Sequence, residues 1–595
     1  DSLSLDTGMD TKREDRMNGV SAAEKNPDVR STSSSQVVCG GYQRRLRSCI
    51  PVNYKDETLQ IMKLAGPVFI SQLMIFLISF ISTVFCGHLG TTELAGVALA
   101  IAVINVTGVS IGAGLASACD TLISQTYGSN NLKRVGVILQ RGILILLLAC
   151  FPCWAILVNT EAILLAVKQS PRVASLSQLY VKIFMPSLPA VFMYQLQAKY
   201  LQNQGIIWPQ VIAGAAGNIL NALINYIFLY LLNLGIPGSA AANSISQCAL
   251  AMFLYIYIRW KGLHKATWDG WSWDCLQEWG AFIRLALPSM LMLCVEWWTY
   301  EIGGFLAGLI SEAELGAQSV IYELATIAYM LPLGFAVAAS VRVGNALGAG
   351  NTDQAINSSK VCLFCGFMVS CVVAALISGS KDVIGYTFTT DMDIVHRVSE
   401  VMVMYGFVHL FDALACITGG IVRGAGKQLL GALCNIVGYY FVGFPIGVSL
   451  MFALNMGIIG LWTGLFVCVF LQSVFFIIII CKLNWKNATQ QALVRAGVLA
   501  AQNKTESYAI ENIQCTEDAS PELQLGERDQ VNVDTDLEGQ VKNDEGATED
   551  ETVITVGKVL TTRQLVVRRG LAVLLMMLIL SGGISLNEVL TSLLR

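Results

Sequence analysis

Leu285–Ile310, LALPSMLMLCVEWWTYEIGGFLAGLI, has the length and apolarity of a membrane-spanning helix, yet Glu296 and Glu301 sit near its middle. A carboxylate at that depth costs about 2.5–3.5 kcal/mol on insertion scales, so it normally faces a partner or a water-filled path and marks function. Trp297, Trp298 and Tyr300 stand beside the acids, and aromatic faces attract organic cations. Low dielectric disfavours a charged carboxylate, which therefore takes up a proton more readily than it would in water. A group that binds either a proton or a cation, next to aromatic walls, suits exchange of one for the other.

Composition gives the setting. Of 595 residues, 54% are hydrophobic and 13% charged, against about 25% charged in soluble domains. Repeated apolar runs of about 20 residues then read as a polytopic membrane protein. The net charge of −4 says little, because the acids concentrate in one late hydrophilic stretch. The 17 cysteines fall mainly inside apolar runs, where they act as small buried hydrophobes. Cys362 and Cys365 form a C-x-x-C with no second pair or nearby His, so the pair reads as packed helix rather than a metal site. There is no P-loop, H-E-x-x-H or nucleophile elbow. Neither enzymatic chemistry, a cofactor nor a metal is expected, and the energy for transport must come from an ion gradient or the substrate's own.

Outward from 285–310, apolar segments run near 64–86, 97–126, 137–158, 173–198, 207–231 and 236–258, then near 281–310, 315–340, 357–378, 394–420, 429–453 and 457–481. A thirteenth, near 571–590, follows a hydrophilic stretch that contains the acidic run Asp544–Glu551. The expected division is a disordered cytosolic N-terminus (1–60), a first six-helix bundle (61–260), a cytosolic linker (261–280), a second bundle (281–482), a disordered cytosolic region (483–569) and a last membrane helix (570–592). No secretory signal is expected, because the first ~60 residues are polar.

Lys and Arg set orientation. Lys133, Arg134, Lys199, Arg259, Lys261, Lys265, Arg284, Arg342, Lys360, Arg423 and Lys427 fall on one side, with the Arg44, Arg45 and Arg47 cluster, while Lys168, Arg172, Lys381 and Arg397 fall on the other. The richer side is expected to be cytosolic, with the N-terminus inside and the C-terminus outside. The sequons at Asn105, Asn357, Asn487 and Asn503 then lie in a helix, at a helix start or on the cytosolic side, and none is expected to carry glycan.

The halves repeat. Leu64-Ala-Gly-Pro67 aligns with Leu285-Ala-Leu-Pro288, Glu93-Leu94-Ala95 with Glu314-Leu315-Gly316, and Gly205 with Gly426, all at an offset of 221 residues; Gly128-Ser-Asn-Asn131 meets Gly348-Ala-Gly-Asn351 one residue sooner. Six spans per half is an even number, so both halves enter from one side. The fold expected is all-α: two parallel six-helix bundles related by a pseudo-two-fold along the membrane normal, with a cavity between them, plus a thirteenth C-terminal helix.

The acids expected inside the membrane are Glu296, Glu301, Glu323 and Asp412; the equivalent first-half positions are Ile75, Phe80, Ala102 and Val191, all apolar. A symmetric fold thus carries an asymmetric site. Glu296 and Tyr300 share a helix face, as do Trp297 and Glu301. Glu296 and Glu301 lie roughly 140° apart on an ideal helix and are not expected to serve one ligand atom together. Tyr322 and Tyr329 share a face beside Glu323. His409, one turn before Asp412, is a candidate proton relay; the plainer alternative is a histidine hydrogen-bonded locally. Pro288, two turns before Glu296, is a candidate hinge.

Twelve spans as two repeats, Gly87-His-Leu-Gly90, Val295-Glu-Trp-Trp-Thr-Tyr-Glu301 and Gly424-Ala-Gly426 resemble the multidrug and toxic compound extrusion (MATE) family over about residues 60–485. The VEWWTYE stretch and the thirteenth helix are similar to vertebrate kidney and liver members, proton/organic-cation antiporters of the apical plasma membrane. The resemblance implies that Glu296, Glu301, Glu323 and Asp412 are the essential acids and that Gln72, Asn105, Trp297, Tyr300, Tyr322 and Tyr329 line the substrate pocket. It implies small organic cations and protons as ligands, a lipid bilayer as setting, no nucleic acid and a working monomer. Animal members more usually carry Glu where this chain has Asp412. Many bacterial members carry a first-helix acid where this chain has Ser82. Na⁺ coupling, a gated cation channel and a lipid-linked-sugar flippase stand as alternatives; an acidic cavity argues against the last.

Overall fold

The computed structural model describes residues 54–87, 90–389, 391–498 and 560–594, and every regular element among them is helical. The expectations for residues 1–53 with Arg44, Arg45 and Arg47, for His88 and Leu89 of the Gly87–Gly90 turn, and for most of 483–569, including Asn503 and Asp544–Glu551, lie outside the described residues. Among those described, thirteen helices are long and apolar enough to cross a membrane. The first bundle is α1 (Tyr54–Cys86), α2 (Thr92–Gly128), α3 (Leu132–Leu157), α4 (Pro171–Gln202), α5 (Trp208–Leu231) and α6 (Gly235–Trp260). The second is α7 (Trp279–Gly308), α8 (Glu312–Gly348), α9 (Thr352–Gly379), α10 (Met392–Gly424), α11 (Gln428–Ala453) and α12 (Ile458–Lys482). A short helix, α13 (Trp485–Ala496), follows, and α14 (Thr562–Ser592) is the thirteenth span.

Several helices outrun the apolar segments because hydropathy marks only the stretch suited to hydrocarbon, whereas caps carry the helix farther. Ser311 accepts the Glu314 amide at 3.1 Å and starts α8 at Glu312. Asn351 accepts the Gln354 amide at 3.0 Å and starts α9, directly after Gly350 in the left-handed region at φ 76°. One repeat earlier, Asn131 accepts the Arg134 amide at 3.4 Å and starts α3, directly after Asn130 at φ 62°. The repeated Gly-x-x-Asn is thus one turn used twice, and its small or amide-bearing third residue supplies the left-handed step.

Each bundle has its own core. One centres on Tyr180, Phe184 and Phe192, the other on Tyr405, Tyr439 and Trp462. They meet at the basic ends of the helices, where Ile61 and Ala65 of α1 pack with Phe335, Ala338 and Val343 of α8. The crossing of α2 and α8 shows the pseudo-two-fold residue by residue. A Cβ on Gly128 would strike the backbone of Asn345, a Cβ on Gly348 would strike the backbone of Gln125, and Gly344 lies on Ser124. Each contact is matched by its repeat equivalent. Two helices approach this closely only where no side chain intervenes.

Polar groups complete this basic-face seam. Arg342 on α8 pairs with Glu57 on α1 at 2.6 and 3.0 Å, and Ser358 donates to the same carboxylate at 2.6 Å. Thr121 donates to the Arg423 carbonyl at 2.6 Å and Gln125 to the Gly424 carbonyl at 2.9 Å. Toward the opposite face, α2 and α7 stay joined through Cys294–Ser110 at 3.6 Å and Trp298–Val106 at 3.0 Å. Beyond that level no hydrogen bond joins the two bundles among the described residues. The structure is closed on the basic face.

Among the described residues, the expected cytosolic linker and the start of the region expected to be disordered both carry structure. The 483–569 region, read as disordered from its polarity, carries α13, whose amphipathic face straps both bundles. Arg495 donates to Gln125 of α2 at 3.0 Å, Asn131 donates to the Ala496 carbonyl at 3.2 Å, and Thr489 meets Thr352 of α9 at 2.7 Å. Burial lowers the pKa of Arg495; burial and then the Arg495 charge lower that of Lys427. The 261–280 linker folds onto α3. Gln140 donates to the Gly270 carbonyl at 2.6 Å and accepts the Ser272 amide at 3.0 Å. Glu278 pairs with Arg134 at 2.8 Å and Arg141 at 3.3 Å. All three side chains are less than 10% exposed. Glu278→Ala is expected to cost about 3–5 kcal/mol, the penalty for breaking a buried ion pair from one side. Thermal unfolding in detergent measures it, and an unchanged midpoint would show that the pair carries no stability.

By contrast, α14 buries none of its apolar window. It lies along α3, with Asn159 donating to the Gly583 carbonyl at 2.9 Å. Near its start, Arg569 donates to the Leu276 carbonyl at 2.6 and 2.9 Å and stacks 4.2 Å from the centre of a Trp279 ring. Ser581-Gly582-Gly583 does not break the helix, because Gly583 is where it meets Ala155.

Candidate functional site

The four intramembrane acids come from three helices of the second bundle. Glu296 and Glu301 are on α7, Glu323 on α8 and Asp412 on α10. The fold resolves them into two pairs. Glu296 and Asp412 lie within Coulombic reach of each other, and Tyr329 stands beside them both. Glu301 and Glu323 are neighbours, and Tyr322 donates to Glu301 at 3.5 Å. The wide angle between Glu296 and Glu301 on one helix sends each to a different neighbour.

Aromatic rings wall the acids. Tyr300 lies 5.9 Å from Tyr322 and 6.2 Å from Trp462, centre to centre; Trp462 meets Tyr405 edge-on at 5.3 Å, and Tyr405 lies 6.1 Å from His409. Tyr300 and Tyr439 both border Glu296 and Asp412. Trp462 is fully buried, and its indole N–H donates to Gln318 at 2.8 Å. That bond fixes one edge of the wall. Trp462→Phe leaves the Gln318 oxygen unsatisfied and frees Tyr300 and Tyr405 to turn. The expected result is affinity for an aromatic cation probe lowered roughly three- to tenfold, the size of one displaced cation–π contact. Equilibrium binding across a cation series checks it; wild-type affinity throughout would mean that Trp462 only fills space.

The remaining candidates divide. Trp297 is half-buried on α7. Its neighbour Trp298 is committed to the Val106 carbonyl. Asn105 begins a π-helical stretch, Asn105–Val109, that places the widened turn of α2 against α7; such stretches are frequent at functional sites. Gln72 is half-buried on α1. No hydrogen bond joins Gln72 or Asn105 to the acids among the described residues. Pro288 lies within α7, which is continuous through it. His409 is buried against Tyr405, and neither ring nitrogen makes a hydrogen bond. The structure therefore forms no His409–Asp412 relay bond and no local one either.

The matching depth of the first bundle is polar but uncharged. Ser82 contacts Asn221 at 3.4 Å and Asn225 at 3.3 Å, and Asn221 donates to Ser246 at 3.1 Å. Acid asymmetry between the bundles thus has a neutral amide network as its counterpart. Four wall residues escaped sequence reading: Gln318, Tyr405, Tyr439 and Trp462. Tyr405 was legible, since Tyr405, His409 and Asp412 share one face of α10. The others join the site only by packing of α8, α11 and α12.

A family model described as MatE matches residues 67–227 and 288–449, one match in each bundle. The chain belongs to the MatE family. It is 77% identical over 580 residues to multidrug and toxin extrusion protein 1 of Danio rerio, covering 98% of both chains. It is 54% identical over 534 residues to the Homo sapiens protein of that name, covering 89% of this chain and 93% of that one. The crystal structure of the eukaryotic MATE transporter AtDTX14 superposes with a TM-score of 0.72 at 29% identity, covering 74% of this chain and 99% of that one. This MATE chain is therefore a multi-pass membrane transporter of the multidrug and toxin extrusion type, with small molecules as substrates, and not an enzyme.

Proposed function

We propose that the chain exchanges extracellular protons for intracellular organic cations, and that both compete for Glu296 and Asp412. The observation that carries this is the inner carboxylate pair, walled by Tyr300, Tyr329 and Tyr439 and facing no carboxylate equivalent in the first bundle. A paired carboxylate stores a proton or answers a cation with equal economy, while aromatic faces accept cations of many shapes. Glu301 and Glu323 lie on the path toward the opposite face and serve as the second proton and cation stop.

Lys and Arg enrichment makes the basic face cytosolic. The closed seam then corresponds to the outward-facing state, with the N-terminus inside and the C-terminus outside. Rocking of one bundle against the other supplies alternating access. On this proposal the chain works as a monomer in the epithelial apical plasma membrane.

The test is uptake of labelled tetraethylammonium into proteoliposomes with an acidic interior and Na⁺ absent. Uptake driven by the pH gradient is expected. Uptake that ignores pH, but appears when a Na⁺ gradient is imposed in a second arm, would transfer the four acids to a sodium-coupled mechanism.

A further inference from the structure

We propose that Arg423 ties the loading state of the Glu296–Asp412 pair to opening of the seam, so that the empty, ionised carrier is held shut. The inference rests on the antiport reading of that pair. Arg423 lies in the last turn of α10, and its side chain is 16% exposed. Its Nε lies 3.8 Å from Asp120 on α2, in the other bundle. Its Nη1 reaches back along α10 to Gly419, 3.7 Å from where a Cβ would stand there. One turn farther on lie Cys416 and then Asp412, and Glu296 of α7 is within Coulombic reach. One cation therefore touches the first bundle while facing the acids of the second.

The surrounding charges leave Arg423 dependent on both. Lys199 of α4 takes the same Asp120 oxygen at 2.9 Å, and Asn203 donates to the other at 3.4 Å. The Ser340 and Gly344 backbone of α8 packs against the adjoining Gly424. On the basic side, Lys427 and Arg495 are occupied with Gln491 and Gln125. Asp120 is shared between two cations, with Lys199 the nearer. The balance for the guanidinium comes from ionised Glu296, the acid of the pair within its reach. A proton or an organic cation bound there removes that compensation, and Arg423 then regains it from water, which requires the seam to part. Either load loosens the same contact. The unloaded carrier stays locked, which is the condition that exchange demands.

Efflux of preloaded tetraethylammonium from proteoliposomes, with and without the same cation or added protons outside, tests this. Wild-type efflux is expected to be slow into cation-free alkaline medium and strongly stimulated by either load. In Arg423→Gln the stimulation ratio is expected to fall toward unity through faster unstimulated efflux, with equilibrium binding retained. Asp120→Asn should do the same from the other bundle, and Arg423→Lys should restore much of the ratio. Wild-type stimulation in a binding-competent Arg423→Gln or in Asp120→Asn would overturn the role of Arg423. So would a variant that binds but never releases its load. Absence of stimulation in the wild type would instead overturn the antiport reading itself.

Discussion

Glu296→Gln is expected to reduce exchange to background while leaving the amount of protein at the cell surface unchanged. The substitution is nearly isosteric, so the packing of α7 against α8 persists. What it loses is the proton site and the negative charge. In the wild type, acid outside should accelerate cation efflux, because protons displace the cation from the carboxylates. In Glu296→Gln that pH response should vanish along with transport. Asp412→Asn should behave alike, since Asp412 is buried and faces Glu296. Asp412→Glu should keep exchange; an inactive Glu variant would show that the shorter arm sets the geometry of the pair. Normal uptake by Glu296→Gln would remove the central claim.

The second large effect is expected from Gly348→Val. The Cβ it adds would fall on the Gln125 backbone at the crossing of α2 and α8. Backbone there cannot step aside as the end of a long side chain can. The seam should fail to close, leaving the carrier open on its basic face with transport lost and cation binding preserved. Gly128→Val should reproduce the phenotype, because its Cβ would meet Asn345 in the pseudo-symmetric contact. A cysteine introduced at Ser124 should become reactive toward a membrane-impermeant thiol reagent from the basic side in either variant. Wild-type transport by Gly348→Val would show that the seam has slack, and that its polar pairs, not the glycines, decide closure.

Most of the fold was legible because a membrane makes sequence patterns stringent. Lipid forces every backbone group into a helix, so apolar length alone located the thirteen spans. The repeat was equally readable. Gly128-Ser-Asn-Asn131 and Gly348-Ala-Gly-Asn351 keep the same turn chemistry, and the structure uses both as helix caps. Polarity misled most after the twelfth span. The 483–569 region looked uniformly unstructured, yet α13 gains its order from Gln125, Asn131 and Thr352, residues far away in the chain. A short helix is marginal alone and stable when docked, and no local pattern reports the docking surface.

For the candidate site, the sequence by itself determined which residues are chemically exceptional. Glu296, Glu301, Glu323 and Asp412 stand out because charge at membrane depth is costly wherever it occurs. It also determined that these acids belong to one bundle only. Only the tertiary structure decided their pairing, Glu296 with Asp412 and Glu301 with Glu323, and only it brought Trp462 and Gln318 behind Tyr300. The physical reason is that burial cost belongs to a residue and its own helix, whereas pairing depends on how helices rotate against one another. Contacts spread over α7, α8, α10 and α12 set that rotation, and no single stretch of the chain contains it.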